Sequence, residues 1–232
     1  MNYLYLLLMV GSFVIPIILS FDKKLHFYTR WKVVWPVIML VAITYLLVDV
    51  IFTDWGVWGF NDQYYSGFTI LGLPFEEWLF FLVIPYASLF IHYSLFLYYP
   101  QWKLDVKTSR RITFTLLLAA AVSLIVFHKN AYTSYVLILL LVALAMGYFD
   151  KLQNLSEFYS SFLIILLPFF VVNGILTGSI TENPVVWYNE KEITGLRIAT
   201  IPIEDFIYAF TLVFFNLLII ERFSKYNRVK KS

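Results

Sequence analysis

Long apolar segments separated by short polar stretches run along the whole chain. Their length suits the roughly 30 Å hydrocarbon core of a bilayer, which takes about 20 residues of helix. Backbone polar groups cannot stay unpaired in hydrocarbon, so the pattern predicts membrane-spanning helices. Seven segments fit this description, at about 3–21, 33–52, 75–98, 112–128, 131–149, 158–177 and 203–221.

The composition supports a membrane protein. Of the 232 residues, 61% are hydrophobic and 20% are aromatic, which excludes a chain built around one water-soluble core. The first segment has no basic leader and no small-residue cleavage site, so we expect a retained helix rather than a signal peptide. The chain has no cysteine, which excludes disulfides and thiolate metal sites.

The positions of the basic residues predict the orientation in the membrane. Counted over alternate loops, fourteen of the 17 lysines and arginines fall on one side, and only Lys129, Lys191 and Arg197 fall on the other. Cytoplasmic loops carry the excess of basic residues, so we expect a multi-pass cell-membrane protein with its N-terminus outside and its C-terminus in the cytoplasm. Basic residues at helix ends also do not form a nucleic-acid-binding patch.

A shift of 128 positions aligns the chain with itself without a gap. It matches 21–23 with 149–151, which includes Lys151, and it matches the stretch 53–77 with 181–205. Identical residues meet at Thr53 and Thr181, Asn61 and Asn189, Gly67 and Gly195, Ile70 and Ile198, Pro74 and Pro202, and Glu76 and Glu204. The shift predicts two copies of a three-helix unit, and one extra helix between them keeps the copies parallel. The predicted parts are a first repeat at 1–100, a linker helix at 101–128, a second repeat at 129–226 and a basic cytoplasmic tail at 227–232.

Each repeat has a proline followed by two acids at the start of a helix. These motifs are Pro74-Phe75-Glu76-Glu77 and Pro202-Ile203-Glu204-Asp205. Proline is tolerated in a first helical turn, and acids in that turn meet the positive end of the helix dipole. These two effects explain one such motif, but they do not explain why it occurs twice, each time before an aromatic run. A carboxylic acid in apolar surroundings tends to stay protonated and can donate that proton. Neighbouring helical residues point about 100° apart, so one acid of each motif can act on a substrate while the other orients it. We predict that both motifs face one shared cavity.

The motifs and their flanking residues resemble the integral-membrane lycopene cyclase family, in the fused form of the heterodimeric-type lycopene beta-cyclase. The flanks that carry the resemblance are Trp58-Gly59-Phe60-Asn61, Val186-Trp187-Tyr188-Asn189 and Gly195-Leu196-Arg197. The resemblance covers about residues 1–222. It implies an all-α integral membrane fold, with seven transmembrane helices arranged as two parallel three-helix repeats joined by a linker helix.

The resemblance also implies a reaction. The ψ end of lycopene is protonated, closes to a ring with a tertiary cation, and loses a proton to give a β-ionone ring, with no redox change; we therefore expect no cofactor and no metal. Glu76 and Glu204 match the first acid of the family motif, and Glu77 and Asp205 match the second. We expect Glu76 and Glu204 to matter most for proton transfer, and which acid donates stays open. The expected partners are lycopene and membrane lipids, with no nucleic acid; a homo-oligomer or contact with other carotenoid enzymes is left open.

Further candidates surround the motifs. Aromatic rings can stabilise carbocations, unless they face lipid or only fill the core. The candidate rings are Trp78, Phe80, Phe81, Phe206 and Tyr208. Polar residues before the motifs can anchor loops or neutralise a carboxylate, namely Asn61, Asn189 and Arg197. Polar groups at membrane depth usually face the bundle interior, which adds Asp49 and Asn173.

The main alternative is a small transporter with the same arrangement of three, one and three helices in parallel repeats. This chain resembles such transporters in topology but lacks their proline–glutamine signature. A retinal-binding protein needs a lysine in the last helix, and residues 203–221 contain none. The aspartate-rich diphosphate motifs of intramembrane prenyltransferases are also missing.

Overall fold

Seven α-helices build the fold in the computed structural model, which describes residues 3–150 and 153–229. The helices are α1 Leu4–Leu19, α2 Trp31–Asp54, α3 Phe75–Tyr98, α4 Val106–Val126, α5 Ala131–Phe149, α6 Gln153–Leu176 and α7 Ile203–Val229. The predicted all-α class is confirmed. Six helices are long and apolar enough to cross a membrane, whereas α1 is shorter, with 16 residues. At 1.5 Å per residue, α1 is about 24 Å long.

The helix bounds follow the predicted segments with shifts of a few residues. Helices α3 and α7 begin directly after Pro74 and Pro202, as the motifs predict. Helix α4 begins earlier than its apolar segment because Asp105 caps it, and Oδ1 of Asp105 accepts the backbone N–H of Thr108 at 2.9 Å. The domain bounds stay a prediction. Lys151 of the repeat match and residues 230–232 of the predicted tail lie outside the described residues.

Helices α3 and α7 form the centre of the bundle. Helix α3 contacts α1, α2, α6 and α7, and α7 also contacts α2, α5 and α6, while α4 packs on the outside against α5 and α6. Buried polar pairs join these helices. The Tyr45 hydroxyl donates to Thr211 Oγ1 at 3.0 Å between α2 and α7, and the Tyr93 hydroxyl donates to Glu221 at 2.8 Å between α3 and α7. Interhelical hydrogen bonds of this kind average about 0.6 kcal/mol in membrane proteins, so they fix helix register more than they supply stability.

Six short strands lie in the two long loops before α3 and α7, and the end of the bundle that carries them is called the strand end below. Strand β1 (Trp58–Phe60) pairs antiparallel with β4 (Val186–Tyr188). Two hairpins follow, β2 (Thr69–Ile70) with β3 (Leu73–Pro74) and β5 (Arg197–Ile198) with β6 (Ile201–Pro202). The apolar pattern did not predict these strands, because two or three residues are too few for a recognisable alternation.

The β1–β4 pair relates the two halves by a pseudo-twofold axis. Gly59 pairs with Trp187, its own mate at the 128-residue offset. The flanking hydrogen bonds are equally symmetric, with Asn61 N–H donating to the Val185 carbonyl and Asn189 N–H donating to the Val57 carbonyl, both at 2.9 Å. A Cβ atom on Gly59 would lie 2.3 Å from Cζ2 of Trp187, so any other residue at this crossing would require the Trp187 ring or the strand to shift.

Each hairpin is fixed to the helix that follows it. The backbone N–H of Phe75 donates to the Phe68 carbonyl at 2.9 Å, and that of Ile203 donates to the Leu196 carbonyl at 3.0 Å. Both hairpin turns hold a non-glycine residue at positive φ, Leu71 at 52° and Ala199 at 54°. These two residues are also mates at the 128-residue offset, so the two halves share this backbone conformation although the side chains differ.

Candidate active site

A cavity of about 320 Å³ lies between the helices beneath the β1–β4 pair. Helices α1, α3, α6 and α7 supply most of its walls, and Trp58, Phe60, Val186 and Tyr188 cover its strand end. The walls are largely apolar, but three carboxyl groups meet at the strand end. These groups belong to Asp49, Glu77 and Asp205.

Glu77 stands in the first turn of α3 and is 8% exposed. The hydroxyl of Tyr5, which the start of α1 brings across the cavity, donates to Glu77 Oε2 at 2.5 Å. The Glu77 carboxyl also lies within hydrogen-bonding reach of the Asp49 carboxyl. Glu77 is therefore held by one phenol and faces a second acid.

Asp49 lies about five turns from the start of α2 and is 2% exposed. The indole N–H of Trp58 in β1 donates to its Oδ1 at 2.6 Å. Its Oδ2 atom has no hydrogen-bond donor among the described residues. Asp49 thus brings to Glu77 a carboxyl group with one oxygen that accepts no hydrogen bond from the part of the chain that the structure describes.

Asp205 has a different environment. Its Oδ1 accepts the Tyr132 hydroxyl at 2.7 Å, and its Oδ2 accepts the Tyr188 hydroxyl at 2.9 Å and the Asn173 amide at 3.0 Å. The apolar surroundings of Tyr188, and then the neighbouring Asp205 carboxyl, raise the pKa of the Tyr188 phenol well above its ordinary value, so this phenol stays a donor. Three donors and the start of α7 together suit an ionised carboxylate.

Glu76 and Glu204, the first acids of the two motifs, point away from the cavity. Oε1 of Glu76 accepts the backbone N–H of Ser66 at 2.8 Å, and Oε1 of Glu204 accepts that of Thr194 at 2.7 Å. Glu204 also accepts the hydroxyl of Thr133 at 2.7 Å. Both side chains are buried, and they bind the loops that lead into the hairpins.

The predicted aromatic residues divide into two groups. Phe80 and Tyr208 line the cavity and are mates at the 128-residue offset. The remaining rings pack elsewhere. Trp78 donates its indole N–H to the Ile70 carbonyl at 3.2 Å, Phe81 is buried beside Tyr45, and Phe206 packs on Phe169 and Phe170.

The predicted polar residues of the loops hold the strand end together. Asn61 and Asn189 lie outside the cavity, and their Oδ1 atoms accept the backbone N–H groups of Gln63 and Lys191, both at 3.1 Å. Arg197 forms an ion pair with Glu190 at 2.6 Å. Its guanidinium also lies 5.9 Å from the centre of the Tyr188 ring. Arg197 therefore lies beside Tyr188, which in turn donates to Asp205.

The cavity opens sideways between α1 and α6. Gly11, Ile15 and Pro168 line the cavity and are also exposed on the outside of the bundle, with Ile15 64% exposed. Two of the equivalent positions in the other half are closed by packing instead. Ala143, the mate of Ile15 in α5, is completely buried in the core, and Val41, the mate of the cavity residue Phe169, is 4% exposed.

The tyrosines that bind the cavity acids were not predicted. Tyr5 and Tyr132 both begin a helix, but the offset pairs Tyr5 with Thr133 and Tyr132 with Leu4, so the internal repeat conceals their common role. Tyr188 and Trp58 cover the cavity, and each also donates to a carboxyl group. For Tyr5 and Tyr132, the only signal in the sequence was a tyrosine near the start of an apolar helix.

Comparison with known proteins gives one finding. A family model described as Lycopene cyclase matches residues 2–95 and, separately, residues 129–223. The first match covers α1, α2 and most of α3, and the second covers α5, α6 and most of α7. No curated protein and no solved structure matches the chain. The two matches together span most of the sequence, and the chain therefore belongs to the lycopene cyclase family.

Proposed function

We propose that this protein closes the acyclic ψ ends of lycopene into β-ionone rings, an intramolecular isomerisation started by a buried carboxylic acid. The observation that carries this proposal is the cavity of about 320 Å³, which has apolar walls, three carboxyl groups at one end and exposed lining residues of α1 and α6 at its side. Such a site suits an apolar molecule whose reactive end meets the acids.

The chemistry needs a proton donor, a shielded cation and a proton acceptor. Protonation of the terminal double bond gives a tertiary cation, ring closure moves the positive charge into the ring, and loss of a proton restores neutrality. Exclusion of water protects the cation from being trapped as an alcohol. The apolar walls of the cavity supply that exclusion.

Aromatic rings near the acids support the cationic steps. Phe80, Tyr208 and Trp58 line the cavity at the same end as the carboxyl groups. A cation above an aromatic face gains about 0.5–2 kcal/mol in a desolvated site. Together with a nearby carboxylate, these aromatic side chains stabilise positive charge at the end of the substrate that closes, rather than along the rest of the polyene.

The second acids of the motifs are proposed to act on the substrate. Glu77 and Asp205 line the cavity, whereas Glu76 and Glu204 bind backbone N–H groups at the base of the hairpins. From the sequence, Glu76 and Glu204 are expected to have the leading role. The geometry favours Glu77 and Asp205 for proton transfer and a positioning role for the first acids.

The substrate is proposed to enter from the bilayer between α1 and α6. Cavity-lining residues of α3 extend from Glu77 to Ile91, a rise of about 21 Å at 1.5 Å per residue. This length accommodates one end of a long carotenoid, while the rest of the molecule extends through the side opening. The bias of basic residues supports an orientation in which the strand end faces outward.

Expression in a bacterium that accumulates lycopene tests the proposal. Chromatography of the extracted pigments should show cyclic carotenoids with the natural sequence and with Asp54→Asn, an acid-to-amide control at the exposed end of α2. Glu77→Gln should insert into the membrane but convert little lycopene. Unchanged lycopene beside demonstrably inserted natural protein would contradict the proposal and favour the transporter alternative.

A further inference from the structure

We propose that the three cavity carboxyl groups divide the reaction between them: Asp49 and Glu77 share one proton and deliver it to the substrate, while Asp205 is the carboxylate that removes a proton from the ring. This inference rests on the proposed function and assigns its donor and acceptor. It also gives Asp49, which lies outside both acidic motifs, a direct catalytic role.

The contact between Asp49 and Glu77 carries the first half of the inference. Their carboxyl groups lie within hydrogen-bonding reach, yet two carboxylates are both acceptors and repel each other. Among the described residues, each has a single donor from elsewhere, Trp58 for Asp49 and Tyr5 for Glu77, and Oδ2 of Asp49 has none. One proton between the two groups turns this repulsive contact into a hydrogen bond.

The three donors around Asp205 carry the second half. Tyr132, Tyr188 and Asn173 all direct hydrogen atoms at its two oxygens. A protonated carboxyl group would have to turn its own hydrogen toward one of these donors. The arrangement therefore fits the ionised form, and it leaves Asp205 as the negative charge that faces the cation.

The proposed steps balance in protons and electrons. The shared proton passes to C2 of the terminal C1=C2 double bond, which leaves the Asp49–Glu77 pair with one more negative charge and C1 as a cation. The C5=C6 double bond attacks C1, so the C1–C6 bond forms and the positive charge moves to C5. Asp205 takes the proton from C6, and the C5=C6 double bond forms again. Transfer of that proton from Asp205 back to the pair resets the site without any co-reactant.

Infrared spectroscopy of the purified protein tests the shared proton without a substrate. The natural protein should show the C=O stretch of a protonated carboxyl group that both Asp49→Asn and Glu77→Gln remove or shift. Asp205→Asn and the surface control Asp54→Asn should leave that band in place. A band that responds to Asp205→Asn but not to Asp49→Asn would overturn the assignment, even where the natural protein cyclises lycopene normally.

Product analysis in the lycopene-accumulating host tests the roles. Asp49→Asn should lower the rate of cyclisation per inserted protein at least tenfold without changing the ring type, and Asp49→Glu should recover part of the rate. Asp205→Asn should change the ring type, since the cation can lose a proton from C4 or from the attached methyl group instead. Natural activity in Asp49→Asn, or β rings alone at the natural rate in Asp205→Asn, would overturn the inference. Absence of cyclic products from the natural protein would contradict the proposed function instead.

Discussion

Gly59→Ala should disrupt the active site from outside the cavity. The new Cβ would lie 2.3 Å from Cζ2, 2.6 Å from Cε2 and 2.9 Å from Nε1 of Trp187, so the Trp187 ring or one strand of the β1–β4 pair has to move. Overpacking of this kind typically costs about 1–3 kcal/mol. Trp58 and Tyr188, which neighbour this crossing, donate to Asp49 and Asp205, so the displacement should weaken both contacts at once.

The assay combines thermal unfolding in detergent with pigment analysis. Gly59→Ala should lower the melting temperature and reduce cyclisation, whereas Gly174→Ala is a matched control because its new Cβ would come no closer than 3.5 Å to Ser179. The double variant Gly59→Ala with Trp187→Ala removes the obstructing ring and should recover most of the stability. Natural stability in Gly59→Ala, or no recovery in the double variant, would refute the steric argument.

Three further predictions concern the cavity and the orientation. Tyr132→Phe removes one of the three donors to Asp205 and should slow cyclisation about tenfold, since a hydrogen bond to a charged group is worth about 1.5–3 kcal/mol; an unchanged rate per inserted protein would contradict the role. Ile15→Trp should narrow the side opening and slow conversion while the melting temperature stays the same, and unaltered conversion would argue against entry between α1 and α6. Because the chain has no cysteine, Lys191→Cys and Lys107→Cys can be labelled singly in intact cells; only Lys191→Cys should react with a membrane-impermeant reagent, and the reverse result would invert the topology.

The helices were predictable because they depend on properties that the sequence carries directly. Apolar length fixes the spans, and the prolines at 74 and 202 mark the starts of α3 and α7. The 128-residue offset placed the two acidic motifs at the same end of the bundle, and Glu77 and Asp205 do meet in one cavity. Tertiary packing was not needed for any of these conclusions.

Which acid of each motif faces the cavity was less predictable. The 100° between neighbouring helical positions indicates that Glu76 and Glu77 diverge, but the rotation of α3 in the bundle decides which of them faces the cavity. That rotation depends on packing against α1, α2, α6 and α7. Tyr5 and Tyr132 come from other helices, so no local pattern connects them with Glu77 and Asp205.

The unequal packing of the two halves has a consequence for the order of products. A carotenoid with two identical ends meets an asymmetric site in the described residues, because the cavity residues Ile15 and Phe169 of one half have the buried mates Ala143 and Val41 in the other. After the first ring forms, the molecule has to withdraw into the bilayer, reverse its direction and enter again before the other end can react. The enzyme should thus work distributively: a carotenoid with one ring should accumulate first, and its share should fall as lycopene is exhausted.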